Sequence, residues 1–458
     1  MPKLASYYLP GLYVEDHSIE VPLDWRGHEP AAVATDGLPD GEHIQVFYRT
    51  VCSAENAHRN LPLLVFLQGG PGGQGPRLLS PSSDGWVAEA IKHFRVVLPD
   101  QRGTGRSTHA SARSIARRGD ARAQAEYLKR LLAPSIVRDF EYLRLTEFGG
   151  RAWTTLGQSY GGFLTLCYLG LFPEGVAASF TCGGIPHVPA SAEDVYAHTF
   201  PRMAAKTRAY YQRYPEDEQR MAAIADRLAA GDVTLPDGSP LTPRRLQTLG
   251  GGLGMKPAPE RLHTLLDTAF EAGDGSLAAT GASPELTDGF LMGVLENLTT
   301  AGNPLYWTLQ EFIYADGRLD EPIRWAAERE YAKHPEFDAS ARPLMLTGEA
   351  AFPFMFEDDP LLAPLKPAVD LLMEDTEFDQ VYDEARLAAN EVPLQAAVYF
   401  DDLYVDSGLQ LDTLSRVGTS HAWVTNEFEH DGLHGSVVFG HLFEEALNRG
   451  DLERALQA

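Results

Sequence analysis

Gly157-Gln158-Ser159-Tyr160-Gly161 has the G-x-S-x-G form in which a strand turns sharply into a helix and presents a serine hydroxyl at the bend. Glycines two residues before and two after the serine leave room for that turn. A serine hydroxyl is a weak nucleophile, so it needs a base, and the base needs an acid to orient it. In chains built around this turn the acid and then the histidine follow the serine, each just after a later strand. Asp401-Asp402 follows the apolar run 396–400, and His430 follows 422–428. Ser159, Asp402 and His430 are therefore the expected catalytic set. Asp401 is the alternative acid and His434 the alternative base.

An acyl-transfer site also needs donors for the oxyanion. The N–H of Tyr160, directly after the nucleophile, is one. The second is expected from Gly69 or Gly70 in the loop Gln68-Gly69-Gly70-Pro71-Gly72-Gly73, where glycine lets backbone approach a substrate closely. No G-K-[ST] follows this loop, which argues against a phosphate cradle. His430 and His434 are four apart, but Asp431-Gly432 between them reads as a turn, not as a helix face of the H-E-x-x-H kind. No metal and no cofactor are expected.

The elements that must hold these groups read as an α/β sheet. Strand-like runs lie at 18–22, 43–48, 61–67, 94–98, 153–156, 176–182, 395–400 and 422–425. Several are continuously apolar, as in a parallel strand buried on both faces. A helix is expected from Ser135 as its N-cap, another over 163–171, and a third over the tail 437–458. Between residues 185 and 391 strand-like runs become scarce and Ala-, Leu- and charge-rich helical stretches take over. The expected architecture is one α/β domain with a mostly parallel sheet, 1–184 and 392–458, interrupted by a mainly helical insertion, 185–391.

The chain has 458 residues, 44% hydrophobic and 22% charged, which fits a folded globular protein. Its net charge is −26, and the helical segment carries 35 acidic against 17 basic residues. Such a surface repels phosphate backbones and anionic membranes and favours a cationic substrate group. The three cysteines, Cys52, Cys167 and Cys182, give no disulfide framework. No signal peptide and no transmembrane run are read, so a cytoplasmic protein is expected. Arg102 and Arg106 are expected to tie the loop after their strand into the core.

Three motifs in order carry a family resemblance: Leu67-Gln68-Gly69-Gly70-Pro71-Gly72-Gly73, the segment from Asp100 to Ser107, and Gly157 to Gly162. They resemble the prolyl aminopeptidase (proline iminopeptidase) family of α/β-hydrolases. The likeness extends through Asn303-Pro304-Leu305-Tyr306, Gln310 to Tyr314, Thr347-Gly348-Glu349 and Glu429 to Leu433. Gln68 departs from it, standing where many members have histidine. The resemblance implies a serine hydrolase with a helical cap that removes an N-terminal residue, preferentially proline, from short peptides without a metal. It also implies cap glutamates that hold the substrate's amine, for which Glu311, Glu296 and Glu349 are the candidates. The nearest rival is an esterase, amidase or lactonase acting on uncharged substrates.

Overall fold

The computed structural model describes residues 3–271 and 285–457. Nine strands form one sheet: β1 (Ala5–Leu9), β2 (Leu12–Pro22), β3 (His43–Ser53), β4 (Leu63–Leu67), β5 (Arg95–Pro99), β6 (Trp153–Gln158), β7 (Val176–Cys182), β8 (Leu394–Tyr399) and β9 (Ser420–Thr425). Their order across the sheet is β1-β2-β3-β5-β4-β6-β7-β8-β9. The first three pair antiparallel and β3 joins β5 antiparallel, whereas every pair from β5 to β9 is parallel.

The apolar runs explain the layering. In β4 Leu63, Val65 and Leu67 pack into one core, while Leu64 and Phe66 pack into the other. This is the two-residue alternation of a strand covered on both faces. One face carries α1 (Val87–His93) and the C-terminal helix. The other carries α2 (Ala133–Glu147) and α3 (Tyr160–Leu171).

Between β7 and β8 the described chain forms helices and isolated bridges but no ladder strand. This segment includes α4 (Ala192–Arg213), α5 (Ala258–Asp267), α6 (Asp288–Leu298), α7 (Leu305–Leu309), α8 (Ala326–Tyr331) and α9 (Glu384–Ala388). The last of these returns to the sheet layer: Arg386 donates to the Leu171 carbonyl at 3.0 Å, and Asp383 lies against Gly170 of α3. The chain closes with α10 (Val438–Arg449).

Strand β2 starts at Leu12 rather than 18 and β3 runs to Ser53 rather than 48, and three helix boundaries also differ from the sequence reading. Helix α2 starts at Ala133, and Ser135 is buried inside it. Pro134 sits in the first turn, where its missing N–H breaks no bond. Helix α3 begins at Tyr160 rather than 163. Helix α10 stops at Arg449 because Gly450 takes a left-handed conformation, the usual helix stop. Among the described residues no helix is long and apolar enough to cross a membrane.

Candidate active site

Ser159 stands between β6 and α3 with φ 55° and ψ −126°, a strained conformation for a residue with a side chain. Two glycines make it possible. A Cβ on Gly161 would lie 1.8 Å from the Leu67 carbonyl oxygen, and one on Gly157 would lie 2.3 Å from that of Gly161. The Ser159 N–H is anchored on the Cys182 carbonyl of β7 at 3.1 Å.

Asp402 lies three residues past β8 and is fully buried. Its Oδ1 accepts from the Tyr404 N–H at 2.8 Å and the Val405 N–H at 3.0 Å. Its Oδ2 takes the Nδ1–H of His430 at 2.8 Å. That contact puts the neutral ring's proton on Nδ1 and leaves Nε2 as the free base. Burial by itself would lower the His430 pKa. The charge and hydrogen bond of Asp402, helped by Glu349 and Asp431, outweigh it and hold the ring above the ordinary histidine value. Asp401 is exposed, and His434 pairs instead with Asp84 at 3.1 Å. Among the described residues no group of His, Cys, Asp and Glu could hold a metal ion.

Tyr160 is the first residue of α3, so its N–H has no partner within the helix. Among the described residues neither the Gly69 nor the Gly70 N–H has a protein acceptor. A Cβ on Gly69 would come within 3.0 Å of the Ser159 Cβ, so this backbone passes directly over the nucleophile. The Gly70–Pro71 peptide is cis. Two side chains pin the loop: Gln101 Nε2 donates to the Gln68 carbonyl at 2.6 Å, and Asn303 Nδ2 donates to the Pro71 carbonyl at 2.9 Å.

The helical segment reaches the site elsewhere too. The His430 N–H donates to the Gly254 carbonyl at 3.0 Å, and the Tyr404 hydroxyl donates to the Gly251 carbonyl. The Tyr404 ring lies 4.6 Å from the imidazole, centroid to centroid. A Cβ on Gly254 would meet the Tyr404 ring at 2.4 Å, so the chain can pass there only with glycine at that position. Asn303 stands inside one of the motifs quoted above, whereas Tyr404 and the loop at Gly254 do not. Nothing in their spacing marked them as supports for the imidazole and the oxyanion loop.

A cavity of about 750 Å³ opens beside these groups. Ser159 and His430 are not on its wall, but Glu349, Tyr306, Tyr404 and Asp431 are. The Tyr306 hydroxyl donates to Glu349 Oε1. Burial raises the Glu349 pKa, while the Tyr306 hydroxyl and the nearby His430 favour its anion. Trp307 and Phe354 also line the cavity, whereas Phe352 and Phe356 are core residues.

The other two expected carboxylates, Glu311 and Glu296, lie away from the cavity. Glu311 is buried, and its two oxygens accept from the Ala326 and Ala327 N–H groups at 2.9 and 3.0 Å, so it caps α8. Burial pushes its pKa up to about 7 against the pull of those two N–H groups. Glu296 is on the exposed face of α6 and does not reach the cavity.

Arg102 is structural, as expected. It is fully buried, grips Asp139 through Nε and Nη2 at 2.7 and 2.6 Å, and donates to the carbonyls of Pro22, Leu23 and Arg130. Arg106 reaches Asp16 at 2.6 Å. Cys167 and Cys182 are buried among apolar groups, and burial pushes both thiols up, away from the reactive thiolate.

Residues 62–219 match the family model of the alpha/beta hydrolase fold. The chain is 39% identical to a proline iminopeptidase of Aeromonas sobria, over 94% of this chain and 96% of that protein. It is 32% identical to the proline iminopeptidase aneH of Aspergillus aculeatus, over 90% of each. Among solved structures, the proline iminopeptidase of Mycobacterium smegmatis is similar over 90% of this chain and 98% of that one, at 15% identity and a TM-score of 0.40. With nearly the full length of the first two relatives matched, this chain belongs to the proline iminopeptidase family of α/β-hydrolases.

Proposed function

We propose that this protein is a serine aminopeptidase that releases an N-terminal residue, preferentially proline, from short peptides. Ser159 Oγ attacks the carbonyl carbon of the first residue, and His430 Nε2 takes its proton. Asp402 holds the imidazole by Nδ1 and balances the imidazolium. The oxyanion rests on the Tyr160 N–H and on that of Gly69 or Gly70. The tetrahedral intermediate collapses as His430 protonates the leaving amine, forming an acyl-enzyme on Ser159. Water, deprotonated by His430, then releases the free amino acid.

The substrate's charged amine is assigned to Glu349. The observation that carries this reading is a partly exposed carboxylate on the cavity wall, electrostatically linked to both His430 and Asp402. A cation drawn out of water needs such a partner. Segment 185–391 acts as the cap: its residues supply the cavity wall, Glu349, and the Asn303 bond that holds the oxyanion loop. Three free, buried cysteines fit a cytoplasmic setting.

The test compares prolyl, alanyl and N-acetylprolyl arylamides, with Ser159→Ala as control. Fast cleavage of the free prolyl compound alone, abolished in the variant, is expected. Equal cleavage of free and acetylated proline would keep the serine hydrolase and remove the amine site.

A further inference from the structure

The cavity that takes Glu349 carries five other charged side chains on its wall: Arg245, Lys256, Arg261, Asp359 and Asp431. Four of them are engaged by the protein itself. Arg245 Nη1 donates to the Ser239 hydroxyl at 2.7 Å and the Pro240 carbonyl at 2.8 Å, and Lys256 Nζ donates to the Glu427 carbonyl at 2.8 Å. Asp359 accepts from the Thr300 hydroxyl at 3.0 Å and the Leu361 N–H at 2.7 Å. Both oxygens of Asp431 accept from the Lys256 N–H at 3.2 Å. Arg261 differs. It is exposed, and among the described residues its guanidinium has neither a hydrogen bond nor an ion pair.

An unpaired arginine is out of keeping with a segment that carries 35 acidic against 17 basic residues. Its position on α5 explains the isolation. Ala258, Arg261, Leu262 and Leu265 line the cavity, the i, i+3, i+4, i+7 spacing of one helix face. The acids of the same helix are not on that wall and are taken by other arginines: Glu260 by Arg213 at 2.6 Å and Asp267 by Arg220 at 3.0 Å. Arg261 therefore faces the cavity from beside two leucines, with its charge unanswered.

The path from the reacting centre to Arg261 is short. The Gly254 carbonyl holds the His430 N–H, and Arg261 follows seven residues later. Between them lie a turn closed by the Ala258 N–H on the Met255 carbonyl and the first turn of α5. Those steps place the Cα atoms of Gly254 and Arg261 at most about 16 Å apart. An arginine side chain and two or three residues of extended peptide span such an interval. The cavity volume of about 750 Å³ is that of a site which encloses a small molecule.

We infer that Arg261 receives the C-terminal carboxylate of the leaving peptide. The cavity then suits a zwitterion, with Glu349 at the amine and a guanidinium fork at the other end. Without that fork the chain's net charge of −26 would repel the substrate's carboxylate. Short peptides with a free C-terminus are the preferred substrates, and longer chains lose the contact because their carboxylate lies out of reach. This inference rests on the aminopeptidase reading above and adds the class of leaving group to it.

The test compares Pro-Ala-Ala with its C-terminal amide in wild type and in Arg261→Met. Wild type should favour the free acid by about tenfold in kcat/KM, between the worth of an exposed ion pair and that of a buried charged hydrogen bond. In Arg261→Met the ratio should fall to about one, and because it is read within one preparation it does not depend on the folded fraction. The penalty for amidation should also vanish for a peptide of about ten residues, whose carboxylate lies beyond the cavity. Equal cleavage of Pro-Ala-Ala and its amide by wild type overturns the proposal without any variant. An unchanged ratio in Arg261→Met overturns it, and so does a penalty that persists in the long peptide. Prolyl arylamide, which has no carboxylate, separates the two readings. If wild type cuts it and shows no preference for the free acid, only the carboxylate site falls. If wild type cuts neither the arylamide nor the peptides, the aminopeptidase reading falls, and the carboxylate site with it.

Discussion

Replacing Asp402 by asparagine should cost about four orders of magnitude in turnover while leaving the fold intact. The argument runs through hydrogen-bond direction. Oδ1 accepts from two backbone N–H groups, of Tyr404 and Val405, at 2.8 and 3.0 Å. In asparagine only the amide oxygen can face them, so its NH2 must turn toward His430. The imidazole Nδ1, which donates at 2.8 Å in the native site, must then accept. Its proton moves to Nε2, the atom that has to take the Ser159 proton. A wrong tautomer of this kind costs about 10⁴ in other triads, or about 5 kcal/mol of transition-state stabilisation. The backbone contacts survive, so the melting temperature should stay close to wild type. Asp402→Ala differs: it orphans both N–H groups, at about 1–3 kcal/mol each. The assay is prolyl arylamide turnover per folded molecule, with unfolding followed by circular dichroism. Asp401→Asn is the control, and as an exposed side chain it should stay within about twofold. A stable Asp402→Asn variant that keeps more than a tenth of wild-type turnover would refute the assignment of the acid.

Three further outcomes follow from the same geometry. The pH dependence of kcat/KM should fall on the acid side through a value above about 6.5, because Asp402 and Glu349 hold the His430 pKa up. Glu349→Gln should move that limb to lower pH, besides costing roughly 10²-fold or more on free prolyl substrates. Glu311 titrates near 7 in the folded protein and near 4.3 in the unfolded chain. A carboxyl raised by folding stabilises the protein at low pH and loses that contribution as pH climbs through about 7. Wild type should therefore lose about 2–3 kcal/mol more than Glu311→Gln between pH 5 and pH 8 in denaturant unfolding. Arg102→Leu leaves Asp139 charged and unpaired at 0% exposure, so unfolding free energy should drop by about 3–5 kcal/mol, with turnover per folded molecule unchanged.

The turn that presents the proposed nucleophile was legible because local sequence dictates it. Ser159 needs glycines at 157 and 161, since any Cβ there would strike backbone, and that requirement writes itself into a short motif. The acid and the base follow strands whose apolar runs can be recognised without knowing their neighbours. Choosing Asp402 over Asp401, and His430 over His434, already needed more than spacing. One aspartate is buried against Tyr404, Val405 and His430 while its neighbour faces water, and only the packed chain decides which.

The amine subsite was the least legible part, for a physical reason. Glu311, Glu296 and Glu349 are alike as residues on a helical segment, and their roles differ only by what the tertiary fold brings to them. Glu311 meets the first N–H groups of α8, fifteen residues further on, and is consumed as a cap. Glu296 meets solvent. Glu349 meets Tyr306, forty-three residues before it, and the charges of His430 and Asp402. The sequence alone determined the α/β architecture and the sharp strand-to-helix turn at Ser159, because each is set by patterns a few residues long. Which carboxylate faces the cavity, and which one caps a helix instead, are long-range facts. They follow from how a largely helical segment folds back over the sheet, and local spacing carries no record of that.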